Sequence, residues 1–274
     1  MVYPIDSGMI VVKFGGSILN DLHDSTIKDL RKISLEEKLL LVHGGGNEVT
    51  SIATKLGKEQ RFIVSPGGIR SRYTDKETAE IYTLVMSGKI NKLIVKMLLK
   101  EGLNAVGLSG VDGHVLVAIR KNRLTIVNEK GRKMLIEGGY TGKIKQVRIE
   151  LLTLLLDHGY VPVVSPVALS EEFDFLNVDG DRAAAYIAGN LKADKVIFLT
   201  NVNGLFLGEK LVQTISMEDA KSILPKIGFG MEKKVLACTE ALALGAKEAI
   251  ISSANVSEPI SSAIVHNNCT VISK

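Results

Sequence analysis

Lys13 closes an apolar run, Ile10-Val11-Val12, and opens Lys13-Phe14-Gly15-Gly16-Ser17. Far along the chain, Lys234 follows Gly228-Phe229-Gly230-Met231 and begins a helical pattern. Between them, Val42-His43-Gly44-Gly45-Gly46-Asn47 ends a second apolar run in three glycines ahead of another helical pattern. Glycines at strand-to-helix turns let backbone N–H groups approach an anion at the positive end of a helix. Lysines add mobile point charges suited to phosphate. Together they point to movement of a phosphoryl group, where catalysis is mostly positioning and charge neutralisation.

Each segment also has an ordinary reading. The Lys13 turn is not a Walker A loop, because the lysine precedes the glycines and no Gly-Lys-Ser/Thr ending follows; alone it is a strand-end lysine before a tight turn. His43-Gly44-Gly45-Gly46 fails the dinucleotide pattern, whose third glycine would fall on Val49. Three glycines in a merely structural turn are costly in unfolded-state entropy, which favours an anion or oxyanion site. In Pro66-Gly67-Gly68-Ile69-Arg70-Ser71-Arg72-Tyr73-Thr74-Asp75, Arg70 has the fork to clamp a substrate carboxylate, Thr74 or Asp75 caps a helix, and Arg72 reads equally as a solvated loop charge.

Asn177-Val178-Asp179-Gly180-Asp181 precedes an alanine-rich helix. One aspartate caps that helix; the other could bind a metal or orient the two lysines by charge-assisted hydrogen bonds. Thr200-Asn201-Val202-Asn203-Gly204-Leu205-Phe206 is a strand-end turn that could hold an adenine ring or be an ordinary turn. Met231, by default a core residue, stands near Lys234 and could pack on the same base.

The elements that must position these residues alternate. Strands are expected at 9–14, 39–43, 105–108, 161–165, 195–200, 248–252 and 270–273, and helices at 25–35, 48–56, 74–84, 89–101, 145–158 and 181–191. Such alternation predicts a largely parallel sheet covered on both faces, with ligands beyond the carboxyl ends of its strands. One section departs from it: 115–120 and 124–127 flank Lys121-Asn122-Arg123 as an antiparallel hairpin, and 128–142 reads as a loop-rich excursion. A lobe boundary is expected near Pro166, giving an extension over 1–8, a substrate lobe over 9–166 and a nucleotide lobe over 167–274.

The chain has 274 residues, 46% of them hydrophobic and 23% charged, an ordinary globular balance. No apolar run reaches membrane-spanning length, and residues 1–8 do not resemble a signal peptide, so Met9 reads as a natural start. The two cysteines, Cys238 and Cys269, have no metal-type spacing, and a reducing cytoplasm is expected. A net charge of +4, scattered along the chain, with no Trp and 5% aromatics, argues against a nucleic-acid platform and suits an anionic nucleotide, substrate or acidic partner.

In combination and order, these segments resemble the amino acid kinase family, whose members phosphorylate carboxylates, carbamate or nucleotides with MgATP. The resemblance runs over nearly the whole chain from Met9. His43-Gly44-Gly45-Gly46, Gly68-Ile69-Arg70, Gly107-Leu108-Ser109-Gly110, Gly139-Tyr140-Thr141-Gly142 and Asn177 to Asp181 resemble the acetylglutamate kinase branch. Gly68 to Asp75 is similar to the kinases acting on an amino acid attached to the carrier protein LysW. Ordinary acetylglutamate kinases have a shorter loop there, and the inserted residues include Arg72.

The resemblance implies an α/β fold, a three-layer αβα sandwich around a mainly parallel sheet. It implies that Lys13 and Lys234 neutralise the transferred and leaving phosphates, that Gly16 and Gly45 donate N–H groups to the moving phosphoryl group, and that Asp181 holds the lysines. Gly44, Gly45, Arg70 and Asn177 would bind the blocked amino acid, and Arg72 and Tyr73 would meet the carrier. Gly15, Gly16, Ser17, Thr200, Asn201, Gly204, Phe206, Gly230 and Met231 would line the nucleotide site, with Mg²⁺ carried by ATP rather than by a protein metal site. Asn201 stands where the family usually has an aspartate, so a hydrogen bond is kept and a charge is lost. The implied activity is phosphorylation of the side-chain carboxylate of LysW-bound α-aminoadipate, and of glutamate, by a cytoplasmic homodimer serving lysine and arginine biosynthesis. The acidic carrier matches the chain's basic balance. Two alternatives stand beside it: an acetylglutamate kinase acting on the free molecule, and a non-catalytic amino-acid or nucleotide sensor, against which both lysines argue.

Overall fold

The computed structural model describes residues 8–16, 24–68, 70–228 and 230–274. Strand β1 (Met9–Phe14) leads through α1 (Asp24–Ser34) to β2 (Lys38–His43) and α2 (Gly46–Lys55). A hairpin, β3 (Phe62–Val64) with β4 (Arg70–Arg72), precedes α3 (Lys76–Thr83) and α4 (Asn91–Lys100). Strands β5 (Ala105–Ser109), β6 (Leu116–Arg120), β7 (Arg123–Val127), β8 (Lys133–Glu137) and β9 (Gly142–Val147) follow. After α5 (Glu150–Asp157) come β10 (Val161–Ser165), β11 (Val167–Leu169), β12 (Phe175–Asn177) and α6 (Gly180–Asn190). The chain continues through β13 (Lys195–Thr200), β14 (Phe206–Leu207), β15 (Lys210–Leu211), β16 (Thr214–Ser216) and α7 (Met217–Ile223). It ends with α8 (Met231–Leu244), β17 (Glu248–Ser253), α9 (Pro259–Ile264) and β18 (Thr270–Ser273).

An eight-stranded sheet runs β16-β18-β17-β13-β1-β2-β10-β5. Its pairings are parallel except β17 with β18. Successive side chains of a strand face opposite ways, and β1 shows what that does here. Val11 packs in the core under α5, α6 and α8, whereas Ile10, Val12 and Phe14 pack in the core under α1, α4 and α9. Both faces are therefore buried, which is why the strands read as unbroken apolar runs. The register also decides where Lys13 goes: it shares the face of Val11, the side of α6 and α8.

A second sheet, β12-β11-β6-β9, stands beside the first. The expected hairpin of 115–120 with 124–127 does not form. Strand β6, whose Leu116, Val117 and Ala118 are buried, sits between two neighbours, β9 and β11, while β7 pairs antiparallel with β8. The turn that closes β7 onto β8 is set by Asn128, whose Oδ1 accepts from the N–H groups of Lys130 and Arg132. The expected loop over 128–142 thus contains β8, and the expected helix over 145–158 begins only at Glu150, because 142–147 is β9. Between α3 and α4 no break occurs either. The segment Leu84–Ile90 is π-helical and joins them without interruption, with Val85, Met86 and Ile90 buried. Single π turns inside helices are rare and frequently lie at functional sites.

Candidate active site

Strands β1 and β2 are adjacent and parallel, so their glycine turns leave the sheet side by side.

 In that register Phe14 faces His43, and the Gly44 N–H donates to the Phe14 carbonyl at 2.9 Å. A Cβ on Gly16 would lie 2.9 Å from the Gly45 nitrogen, so the two turns touch backbone to backbone. Gly45 has φ 156°, and a Cβ there would meet Ile90 Cδ1 at 2.1 Å and Met86 Sδ at 3.0 Å, both from the π-helical segment. Side chains are excluded at these two positions, which leaves N–H groups at the start of α2, the arrangement that receives an anion.

Beside the turns, Lys13 Nζ lies 2.5 Å from Asp181 Oδ1 and Lys234 Nζ lies 3.1 Å from Asp181 Oδ2. Lys13 is 6% and Asp181 7% exposed, so the charges meet in a largely desolvated place. Burial alone would raise the Asp181 pKa; Lys13 and then Lys234 overcome it and hold the carboxyl down at about 2. Asp179 caps α6, accepting from the N–H groups of Asp181 and Arg182. The cap leaves the Asp181 side chain for the lysines. Arg182 forks onto Glu240 of α8, with Nε 2.9 Å from Oε2, which ties the helix carrying Asp181 to the helix carrying Lys234.

Behind the glycines, His43 is fully buried. Its Nδ1 donates to the Gly44 carbonyl at 2.9 Å, and its Nε2 lies 3.2 Å from Asn91 Nδ2. That amide nitrogen also donates to the Val163 carbonyl at 2.8 Å, so it acts as donor to Nε2 and the ring proton belongs on Nδ1. Burial, opposed by the Gly44 carbonyl and reinforced by Lys13, lowers the His43 pKa to about 4.

A cavity of about 590 Å³ opens from Gly44, Gly45 and Gly46 between the β3–β4 hairpin, β7 and the start of α6. Arg70 and Asn177 line it. The Arg70 guanidinium stacks 4.0 Å over the Phe62 ring, and Asn177 Nδ2 donates to Thr74 Oγ1 at 3.1 Å. Arg72, expected at the carrier, lines the same cavity. It is buried, and its guanidinium donates to the Gly46 carbonyl at 2.7 Å, to Thr50 Oγ1 at 2.9 Å and to Gln60. Both terminal nitrogens of the guanidinium are engaged in these hydrogen bonds. Tyr73 is half-buried, with the Arg61 guanidinium 5.2 Å over its ring.

The residues expected at the nucleotide are spread along the same edge of the sheet. Gly15 follows β1, and Thr200 ends β13, the neighbour of β1. Thr200 Oγ1 donates to Asn201 Oδ1 at 3.2 Å. Gly204 is pressed against Thr270, whose Oγ1 a Cβ would meet at 2.4 Å. Phe206, 43% exposed, belongs to the β14–β15 hairpin. Gly230, at φ 89°, caps α8, and Met231 is its first residue. Ser17 lies outside the described residues.

Residues 8–253 match the family described as the amino acid kinase family. The chain belongs to the amino acid kinase family. It is 60% identical over 264 residues to a protein of Nitrosopumilus maritimus provisionally named a LysW-aminoadipate/LysW-glutamate kinase, covering 96% of this chain and 99% of that one. It is 43% identical over 265 residues to the LysW-aminoadipate/LysW-glutamate kinase of Saccharolobus islandicus, again covering 96% and 99%. A solved structure from Streptococcus mutans UA159 superposes with a TM-score of 0.77 at 20% identity, over 97% of this chain and 98% of that one, which shows the shared fold.

This amino acid kinase also places residues at its site that the sequence did not single out. Asn91 and the π-helical Met86 and Ile90 reach the glycine turns from far along the chain, and no local pattern marks them. Lys121, Lys143, Arg182 and Lys233 line the cavity. Nothing local in the sequence says that a cavity closes around them.

Proposed function

We propose that this amino acid kinase transfers the γ-phosphoryl group of MgATP to the side-chain carboxylate of α-aminoadipate, and of glutamate, carried on LysW, giving an acyl phosphate for lysine and arginine biosynthesis. The observation that carries the reading is the convergence of Lys13 and Lys234 on the two oxygens of Asp181 beside the glycine turns. The full-length likeness to the Saccharolobus islandicus enzyme supports the substrate.

The donor set suits a triphosphate: crowded glycine N–H groups on one side and two desolvated ammonium groups on the other. Bound ATP supplies the electrophilic γ-phosphorus. The attacking carboxylate is already ionised, so no general base is required. Lys13 and Lys234 neutralise charge on the transferred and leaving phosphates, with Asp181 fixing both ammonium groups in advance. Gly16 and Gly45 donate N–H groups to the moving phosphoryl group. Arg70, Gly44 and Asn177 hold the blocked amino acid, while Thr200, Asn201, Gly204, Phe206, Gly230 and Met231 line the nucleotide site. Mg²⁺ would be carried mainly by ATP, as the family resemblance implies.

The lobe over 9–166 is assigned to the amino acid and that over 167–274 to ATP, with the cavity drawing Asn177 and Arg182 from the second. The enzyme is assigned to the cytoplasm as a homodimer; among the described residues no helix is long and apolar enough to cross a membrane. Hydroxylamine trapping of acyl phosphate tests the reading, with MgATP and either LysW-aminoadipate, LysW-glutamate or free N-acetylglutamate. Product with the carrier-bound substrates alone is expected. Comparable product from free N-acetylglutamate would make the chain an acetylglutamate kinase, and no product from any of the three would remove the kinase reading.

A further inference from the structure

The peptide that joins Gly44 to Gly45 has glycine on both sides, so sterics alone do little to fix which way it faces. Its two polar ends point opposite ways, because the bond is trans. On one side, the Gly44 carbonyl accepts from His43 Nδ1 at 2.9 Å. The Gly45 N–H therefore faces the other way, toward the Gly16 turn, where a Gly16 Cβ would lie 2.9 Å from that nitrogen. Among the described residues this N–H donates to no protein acceptor. Turning the one peptide over would put a carbonyl oxygen where the phosphoryl group needs a donor.

His43 can hold that carbonyl only with a proton on Nδ1, and one side chain sees to it. Asn91 is fully buried. Its Nδ2 lies 3.2 Å from His43 Nε2 and also donates to the Val163 and Leu108 carbonyls, at 2.8 and 3.2 Å. Lys92 Nζ fixes the other end of the amide, donating to Oδ1 at 3.0 Å. An amide held in that orientation offers Nε2 only a donor, so the neutral ring keeps its proton on Nδ1. Gly107 of β5 makes the room: a Cβ there would lie 2.0 Å from Asn91 Oδ1. A network that only braced β2, β5 and β10 would not need its last bond on the Gly44 carbonyl.

We propose that His43 is a positioning residue for phosphoryl transfer: held by Asn91, it anchors the Gly44 carbonyl and so aims the Gly45 N–H at the moving phosphoryl group. The inference rests on the function proposed above, in which Gly45 is a donor. It also says where a loss should appear. A misaimed N–H weakens the transition state more than it weakens bound substrate, so kcat falls while KM holds.

Steady-state kinetics of His43→Leu and His43→Asn with MgATP and LysW-aminoadipate test this, beside NMR of the ring nitrogens in the wild-type enzyme. Leucine removes the donor, whereas the asparagine Nδ2 falls near the place of Nδ1 and keeps one. His43→Leu is expected to lower kcat ~10-fold or more, approaching the loss of an oxyanion donor, with both KM values little changed. His43→Asn should recover most of the loss, which a packing role would not. Normal kcat in folded His43→Leu overturns the proposal while leaving the kinase reading intact, and so does an equal loss in both variants. Should the variants fail to fold, the wild-type spectrum decides. Burial keeps the His43 ring neutral down to about pH 4, which identifies its signals. An Nδ1–H ring supports the anchor, and an Nε2–H ring overturns it. A wild-type enzyme inactive on LysW-aminoadipate overturns the function, and the role of His43 with it.

Discussion

Lys13 at the end of β1 and Lys234 in the first turns of α8 grip opposite oxygens of Asp181, at 2.5 and 3.1 Å. Two cations share one buried anion, which leaves a net positive charge beside the glycine N–H groups. A transferring phosphoryl group completes that balance. Lys13→Ala and Lys234→Ala are each expected to lower kcat at least ~100-fold, by analogy with loss of an oxyanion donor. Near-normal turnover in both variants would remove the mechanism. Asp181→Asn is expected to cost stability as well, on the order of 3 kcal/mol, because it leaves buried ammonium groups without their counter-charge; urea unfolding measures it.

His43 gives the pH dependence a definite sign. Its imidazole pKa is about 4 in the fold, against an ordinary value of 6.5. Below about pH 6.5 the unfolded chain binds a proton that the folded chain refuses until about pH 4. Stability therefore falls as pH drops through that window, by on the order of 3 kcal/mol at its lower end, and this contribution is flat above it. Urea unfolding of His43→Gln between pH 4 and 7 should show a shallower slope than the wild type. Equal slopes would mean that the imidazole titrates normally in the fold.

The sheet was legible in the sequence where burial on both faces forces unbroken apolar runs. Ile10 to Phe14, Leu39 to Val42 and Lys195 to Thr200 fall at their expected places for that reason. Pairing choices away from the main sheet were not legible. Nothing near Arg120 says that β6 takes β9 and β11 rather than β7 as neighbours, because those contacts are decided by distant strands. The glycines and Lys13 were readable because their chemistry is local to one turn. Asn91 and Lys121 were not, since their parts at the site exist only once residues far away in sequence have packed around them.

Arg72 separates a structural part from a carrier-binding one. Its guanidinium satisfies the Gly46 carbonyl, Thr50 and Gln60, which joins the β3–β4 hairpin to the start of α2. Arg72→Ala strips buried acceptors of their donor and is expected to destabilise the fold by ~1–3 kcal/mol. Thermal unfolding should register this, while the salt dependence of KM for the carrier-bound substrate stays at its wild-type slope. A wild-type melting temperature combined with a flattened salt response would restore Arg72 to the carrier interface.

Salt is the remaining lever, because it separates recognition of an acidic carrier from recognition of a small substrate. Arg70 and Lys143 are exposed where the cavity meets solvent, and the chain carries a net charge of +4. Attraction between such a surface and an acidic protein acts through water and is screened over ~8–10 Å at moderate ionic strength. Its loss appears mainly in the rate of encounter. Apparent affinity for LysW-aminoadipate should therefore weaken steeply with added KCl. Affinity for MgATP should respond less, because Lys13 and Asp181 are shielded from solvent. If KM for the carrier-bound substrate were constant across the same salt range, charge would not be what brings LysW to this enzyme.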